Sequence, residues 1–149
     1  MPKNQITSEQ FNVLVRLCRG DGEAPSTLAA KMVLVERASN EAVKAATGVS
    51  KENLYDAVQR WKEKDHLIRQ AYGPDGSKAQ QFDLLVKLCR GDSEAPSTLA
   101  AKMVLVDNIK NQIVKNATGI SKQSLYDAVR RWKEKDDWIK KAYSELEPK

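Results

Sequence analysis

The sequence contains few of the residues that hold a chain together through covalent or metal links. Its 149 residues include two Cys and one His, too few for a zinc site with the usual set of Cys and His ligands. Only 6% are aromatic, with 7 Gly and 5 Pro, and this composition excludes a collagen-like or low-complexity chain. No apolar run approaches the roughly 18 to 20 residues of a membrane span. We therefore expect a globular protein without a metal site or a membrane partner.

The charge balance and the first residues of the chain indicate its location in the cell. Hydrophobic residues make up 41%, enough for a core, and 25 Lys and Arg exceed 20 Asp and Glu to give a formal charge of +5. Met1–Gln5 contains no apolar segment of the kind that an export signal needs. These features predict a soluble, mildly basic protein of the cytoplasm.

The chain also lacks the residue pairs of common catalytic sites. Cys18 and Cys89 lie in matching contexts, which predicts a small buried hydrophobe at each position, and a cytosolic location disfavours a disulfide. A catalytic Cys–His pair fails because His66 is replaced by Asp137 in the second copy of the repeat described next. No phosphate-binding loop is present. We expect no enzymatic activity and no cofactor.

The dominant feature is an internal duplication, the kind of signal that decides the architecture of a chain. A shift of 71 positions aligns residues 10–72 with residues 81–143 without a gap, and 44 of the 63 aligned positions are identical. Gly73–Ser77 between the copies is a cluster of turn-forming residues. This pattern predicts a first domain over 1–72, a linker over 73–77 and a second domain over 78–149.

Each repeat is predicted to form four helices, which makes the fold all-α. Thr7 with Gln10, and Ser77 with Gln80, have the spacing of a capping box at the start of the first helix, and Gly20 is predicted to end it. The apolar residues that follow recur at helical spacing: Phe11, Leu14, Val15 and Cys18 in the first copy, and Phe82, Leu85, Val86 and Cys89 in the second.

The later helices carry apolar faces of their own. The second helix is predicted to begin at Pro25 or Ser26; a strand over Met32–Val35 is the alternative, disfavoured because it has no partner strand. The third helix covers 40–47. The fourth begins after Ser50 and either continues through Tyr72 or breaks near Asp65. The residues predicted to face inward are Leu28, Ala29, Met32, Val35, Val43, Ala46, Leu54, Ala57, Val58 and Trp61.

The connection between the third and fourth helices is typical of a helix-turn-helix. Gly48 suits the left-handed conformation of a tight turn, Val49 is placed to fill the gap between the helices, and Ser50 is placed to cap the fourth helix. The same pattern returns at Gly119–Ser121. In such motifs the second helix lies in the major groove of DNA, so the repeat predicts two recognition helices on one chain.

The wider pattern resembles the KorA/TrfB-type plasmid repressors. The matching features are Gln10-Phe11, Ala30–Val35 and Ala57–Arg60, and the resemblance spans roughly residues 8–64 and 79–135. It implies a transcriptional repressor of plasmid or phage genes in the bacterial cytoplasm, associated with the nucleoid or a plasmid. Two features depart from the family. Lys44 and Lys115 occupy a position that is usually small, and the tandem duplication stands where the family uses a separate dimerisation segment, so one chain would be an intramolecular pseudo-dimer.

The residues expected to touch double-stranded DNA lie on the outward faces of the two fourth helices. Asn, Gln and Arg suit base edges, while Lys and Ser suit phosphates, and Tyr suits either phosphate contact or cover over the helix pair. The set is Ser50, Lys51, Glu52, Asn53, Tyr55, Gln59 and Arg60 in the first copy, and Ser121, Lys122, Gln123, Ser124, Tyr126, Arg130 and Arg131 in the second.

The two faces differ at three positions, with Glu52, Asn53 and Gln59 replaced by Gln123, Ser124 and Arg130. These differences predict two related but unequal half-sites, with neutral drift as the alternative. Two such helices would span successive major grooves about 34 Å apart, and the linker reaches only about 17 Å when extended.

A second function remains open from the residues alone. Acidic side chains on the same face, Glu52, Asp56 and Asp127, favour a helical protein-interaction module that does not bind DNA. Under either function the sequence predicts no small-molecule ligand. We interpret three tryptophans as residues of the core or of a domain interface rather than as side chains on which DNA bases stack: Trp61, Trp132 and Trp138.

Overall fold

The computed structural model describes residues 6–18, 22–89, 91 and 94–146, and this part of the chain contains eight α-helices, one short 3₁₀ turn over Ser144–Leu146 and no strand. The predicted all-helical fold is confirmed, and Met32–Leu34 lies in a helix rather than in a strand. The helices are α1 (Ser8–Leu17), α2 (Pro25–Leu34), α3 (Asn40–Thr47), α4 (Lys51–Ala71), α5 (Lys78–Leu88), α6 (Pro96–Leu105), α7 (Asn111–Thr118) and α8 (Lys122–Ala142).

Packing divides the chain into unit 1, Met1–Arg69, and unit 2, Gln70–Lys149. The division falls inside the last turn of α4, so Gln70 and Ala71 group with unit 2. Helix α4 is continuous past Asp65, which decides between the two lengths that the sequence allowed. Five residues with little helix preference, 73–77, then separate the two repeats.

Both predicted capping boxes are present, and they start α1 and α5. Thr7 Oγ1 accepts the Gln10 amide at 3.1 Å while Gln10 Oε1 accepts the Thr7 amide at 3.1 Å. Ser77 and Gln80 make the same reciprocal pair at 3.2 and 2.9 Å. Thr7 aligns with Lys78 in the repeat, so the second box lies one residue earlier than the first. Helix α1 ends at Leu17, and the predicted stop at Gly20 lies outside the described residues.

Each unit has a small core at the junction of its last three helices. Ala29, Val43 and Leu54 join α2, α3 and α4 in unit 1, and Ala100, Val114 and Leu125 repeat this cluster in unit 2. The first helix is held by an aromatic pair to the fourth: Phe11 and Trp61 have ring centroids 5.5 Å apart, and the equivalent pair in unit 2 is 5.6 Å apart. Trp61, Trp132 and both Cys side chains are buried, as predicted.

Two residues predicted to face inward do not. Leu28 is 42% exposed and Ala46 is also exposed. Helix α2 instead buries Thr27, Ala29 and Ala30, because small side chains at the contact allow the backbones of packed helices to approach closely. Helix α3 buries only Val43 among its eight residues, so its apolar stripe is narrower than the spacing of Val43 and Ala46 predicts.

Candidate nucleic-acid interface

The turn between α3 and α4 is built from Thr47 and Gly48. Gly48 has φ +74°, a left-handed conformation that glycine adopts without steric cost, and its amide donates to Lys44 O at 2.8 Å. The Thr47 hydroxyl donates to Val43 O at 2.8 Å and accepts the Val49 amide at 3.3 Å. Thr47 therefore ties the last turn of α3 to the residue that follows Gly48.

The same turn is present in unit 2. Gly119 has φ +76° and donates to Lys115 O at 2.8 Å, and the Thr118 hydroxyl donates to Val114 O at 2.8 Å. Two copies of one local geometry, 71 residues apart, follow from the identical Thr-Gly-x-Ser sequence. The turn is thus specified locally.

Serine begins the long helix of each unit, as predicted. Ser50 Oγ accepts the Asn53 amide at 3.2 Å, and Ser121 Oγ accepts the Ser124 amide at 3.1 Å. Each cap satisfies one of the amides that the first turn of a helix leaves without an intrahelical partner. The remaining amides of that turn lie at the positive end of the helix dipole, which suits an anion such as phosphate.

Val49 anchors this turn on the core. It packs with Met32, Val33, Ala38 and Val58 against the cluster of Ala29, Val43 and Leu54, and Ile120 takes its place in unit 2. The inner face of α4 is therefore held by apolar contacts on both sides of the turn. That arrangement presents the outer face of α4 in a defined direction relative to α3.

Every side chain that the sequence assigns to a DNA contact is exposed. Tyr55 and Tyr126, the largest of them, are 65% and 62% exposed. Exposure is what a contact with DNA requires, and the contact itself stays a prediction. The exposed set comprises Ser50, Lys51, Glu52, Asn53, Tyr55, Gln59 and Arg60 on unit 1 and Ser121, Lys122, Gln123, Ser124, Tyr126, Arg130 and Arg131 on unit 2.

The outer face of α8 carries interactions that orient its polar side chains. Asp127 Oδ1 accepts from Gln123 Nε2 at 3.2 Å, and it lies 3.9 Å from Arg130 Nη2. The Arg130 guanidinium is 5.8 Å from the centre of the Tyr126 ring, within range of a cation–π contact. Asp127 is half-buried rather than fully exposed. Its carboxylate interacts with the neighbouring side chains Gln123 and Arg130.

The outer face of α4 has a different charge balance. Lys51 and Arg60 are matched by Glu52 and Asp56, and those two carboxylates lie one turn apart, where like charges repel. On α8 the corresponding cations Lys122, Arg130 and Arg131 meet one carboxylate, Asp127. Unit 2 therefore offers phosphates the more attractive of the two surfaces.

One residue near this face was missed by sequence reasoning. Lys115, which the sequence flags only as an unusual residue for its position, is half-buried and borders a groove of about 350 Å³ between α7 and α8 with Lys122 and Tyr126. A lysine can cover apolar surface with its alkyl chain and still keep its amine in solvent. The long flexible stem of lysine explains how this position accommodates a large side chain.

The described residues contain no cluster of His, Cys, Asp or Glu that could hold a metal ion. In the same part of the chain, no helix combines the length and the apolar character that a membrane crossing requires.

Comparison with known protein families, characterised proteins and solved structures found no match to this chain. The likeness to the KorA/TrfB-type repressors consequently rests on the motifs alone.

Proposed function

We propose that the chain is a sequence-specific double-stranded DNA-binding protein that represses transcription of plasmid or phage genes. In this proposal α3 with α4, and α7 with α8, are helix-turn-helix motifs, and one chain binds two half-sites. The observation that carries the proposal is the repeated turn, in which a left-handed glycine and a serine cap set a long helix with an exposed polar face.

The mechanism assigns different work to different side chains. The exposed amide and guanidinium groups of Asn53, Gln59 and Arg130 match the donors and acceptors of base edges in the major groove. Ser50, Lys51 and the open amides of the first turn of α4 are placed for phosphate. Repression then follows from occlusion of a promoter by the bound chain.

Selection of bound sequences from random duplexes by the full chain tests this proposal. DNA with a selected site should be retarded in gel shifts. The affinity should fall steeply between about 50 and about 200 mM salt, because the release of counterions from DNA contributes less to binding at higher salt. Substitution Lys51→Ala should reduce the slope of log affinity against log salt by about one. Lys87→Ala, which removes the same charge from the exposed side of α5, should leave the slope unchanged.

A second function is favoured by one observation. Glu52 and Asp56 are both exposed on α4 and would repel a phosphate backbone, whereas they suit a basic protein partner. A helical protein-interaction module predicts that no duplex is enriched in the selection and that no DNA is retarded at low salt. Either outcome decides between the two functions.

A further inference from the structure

Unit 2 contains an open cleft beside its aromatic pair. The cleft has a volume of about 440 Å³, within the range of small-molecule sites. It lies between α5, the end of α6 and the middle of α8. Its apolar wall is formed by Phe82, Leu85, Val104, Val106, Val129 and Trp132. Its polar rim includes Lys78, Lys133 and Lys140.

In unit 1 the matching positions line a smaller space. An opening there has a volume of about 170 Å³ and shares five repeat positions with the cleft, among them Lys62 and Asp65. Ile6, only 3% exposed, forms part of its wall. Phe11, Leu14 and Trp61 do not line it, although their counterparts line the cleft of unit 2. Ile6 lines this opening, whereas its counterpart in the repeat, Ser77, does not line the cleft.

In the described part of unit 2, the position before the cap has no side chain like that of Ile6. Ile6 is the residue before the Thr7 cap, and the residue before the Ser77 cap is Gly76. A Cβ atom at Gly76 would lie 1.7 Å from Ala71 O, so the backbone there excludes any larger residue. Because the second cap lies one residue earlier, the residue before it provides no side chain to fill the cleft.

The polar contacts at the cleft opening also differ. In unit 1, Arg69 donates to Asp65 Oδ2 at 2.8 Å and to Gln10 Oε1 at 2.9 Å, which joins α4 to α1. In unit 2 the equivalent residue Lys140 is 2.9 Å from Asp136 Oδ2. The counterpart of Gln10, Gln81, donates instead to Ala71 O at 3.2 Å.

The groups that line the cleft define the chemistry of an occupant. The indole ring of Trp132 lines the cleft, while its Nε1–H is buried and serves as a nearby reporter rather than as a ligand contact. Trp61, its counterpart in unit 1, has the same buried Nε1–H and does not line the smaller opening there. On the rim, the oxygens of Asp136 are already engaged by Tyr72 and Lys140. Lys78 and Lys133 then face a single further carboxylate, Asp137.

We infer that this cleft is a binding site for a small organic anion with an apolar ring or branched body. The body covers Phe82 and Trp132, and the anionic group meets Lys78 and Lys133. The site departs from the sequence expectation of no small-molecule ligand. It is independent of DNA binding, since no predicted DNA contact lines it.

Titration of the full chain with anilinonaphthalene sulfonate, an apolar ring system that carries one anionic group, tests the site. The indole N–H signals of Trp61 and Trp132 are resolved by ¹⁵N NMR and assigned with Trp→Phe variants. We expect the Trp132 signal to shift with saturation at one equivalent and the Trp61 signal to stay in place. Phenylpropanoate should displace the probe, while phenylpropylamine, of similar shape and opposite charge, should not.

Two matched pairs of variants locate the probe. Val106→Phe fills the cleft and should abolish binding, while Val35→Phe at the same position of unit 1 should not. Lys133→Ala, at an exposed position, should weaken binding about two- to fivefold, and Lys62→Ala should have no effect. Equal shifts of both indoles, no shift of either, or unchanged affinity in both Val106→Phe and Lys133→Ala would overturn the assignment. If Val106→Phe does not fold, Lys133→Ala and the indole signals decide the outcome.

Discussion

Tyr72 donates its phenolic hydroxyl to Asp136 Oδ1 across 2.6 Å, a contact between the residue after α4 and the middle of α8. Tyr72 is 9% exposed. Burial, and then the hydrogen bond to Asp136 and the charge of that carboxylate, raise the pKa of Tyr72 well above its ordinary value. The hydroxyl is therefore a neutral donor throughout the ordinary pH range, and its removal leaves a half-buried carboxylate with one partner fewer.

Tyr72→Phe should lower the free energy of unfolding by about 1 to 2 kcal/mol at neutral pH, because it removes a hydrogen bond to a charged acceptor. Urea denaturation followed by circular dichroism measures this change. Tyr55→Phe is the control, since Tyr55 is 65% exposed and its hydroxyl should contribute less than about 0.5 kcal/mol. Equal effects of the two substitutions would contradict the role of the Asp136 contact.

The same hydrogen bond predicts that the free energy of unfolding depends on pH in the alkaline range. Since the folded pKa of Tyr72 is raised, its contribution to stability is fully present below the unfolded value of about 10 and decreases as the pH rises beyond it, by up to about 1.4 kcal/mol per pH unit. The stability advantage of the wild type over Tyr72→Phe should shrink between about pH 10 and 11. Denaturation of both proteins at each pH cancels the titration of the groups that they share.

The repeat contains a capped and an uncapped version of one helix. Ser39 Oγ accepts the Ala42 amide at 3.2 Å at the start of α3. Its counterpart before α7 is Lys110, which has similar backbone angles but no side-chain cap among the described contacts. Lys110→Ser should therefore stabilise the protein by about 1 kcal/mol, and Ser39→Ala should destabilise it by a similar amount. Thermal unfolding of both variants measures the pair, and a destabilised Lys110→Ser would contradict the prediction.

A second natural pair concerns the left-handed residues Arg37 and Asn108. Both have φ +57°, a conformation that Asn tolerates better than Arg because its short polar side chain bonds locally. Arg37→Asn should stabilise the protein by about 0.5 to 1 kcal/mol, and the reverse change Asn108→Arg should destabilise it. The midpoint of urea denaturation reports both. A shift of the same sign in the two variants would show that side-chain contacts, not the backbone angle, decide stability here.

Gly76 should resist substitution for a steric reason. Its amide donates to Gly73 O at 3.1 Å, and an added Cβ would collide with the Ala71 carbonyl. Gly76→Ala should cost more than about 2 kcal/mol, as substitutions that force the backbone to move do. Gly22→Ala is the matched control: among the described residues, no atom outside the chain neighbours lies within 4 Å of the added methyl group, and the change should stabilise the protein by up to about 1 kcal/mol.

The features that the sequence predicted well are those that neighbouring residues determine. Gly48, Ser50 and Ser121 act on atoms within four residues of themselves, so their identity and spacing were sufficient. The capping boxes at Thr7 and Ser77 belong to the same class. For the interface, the same local rules predicted which side chains of α4 and α8 are exposed.

The features that were missed depend on residues far apart in the chain. Gln10 is buried because Arg69, 59 positions away, donates to it, and no local pattern signals that partner. Leu28 is exposed because the closest helix contact falls on the small residues Ala29 and Ala30, which hydrophobicity alone ranks lower. The one-residue shift between the two caps, which removes an equivalent of Ile6 from the start of α5, is visible only once their hydrogen bonds are known.

The proposed DNA-binding function makes a sharp prediction about the three recognition positions that differ between the repeats. If Glu52, Asn53 and Gln59 read one half-site while Gln123, Ser124 and Arg130 read the other, the wild type should select two unequal half-sites. The triple variant Glu52→Gln, Asn53→Ser and Gln59→Arg gives both units the same outward residues. It should select two half-sites of the same sequence, with a base preference changed by about 1 to 3 kcal/mol at the altered positions.

A control variant, Asn12→Asp with Gln70→Lys, also replaces exposed residues of the first repeat by their counterparts in the second repeat but lies outside the predicted interface. It should keep the unequal half-sites of the wild type. If the wild type already selects equal half-sites, the three differences are neutral drift, because drift leaves base preference untouched. If the triple variant and the control both retain unequal sites, other residues read the bases, and the outward set on α4 and α8 is wrong even though DNA binding stands.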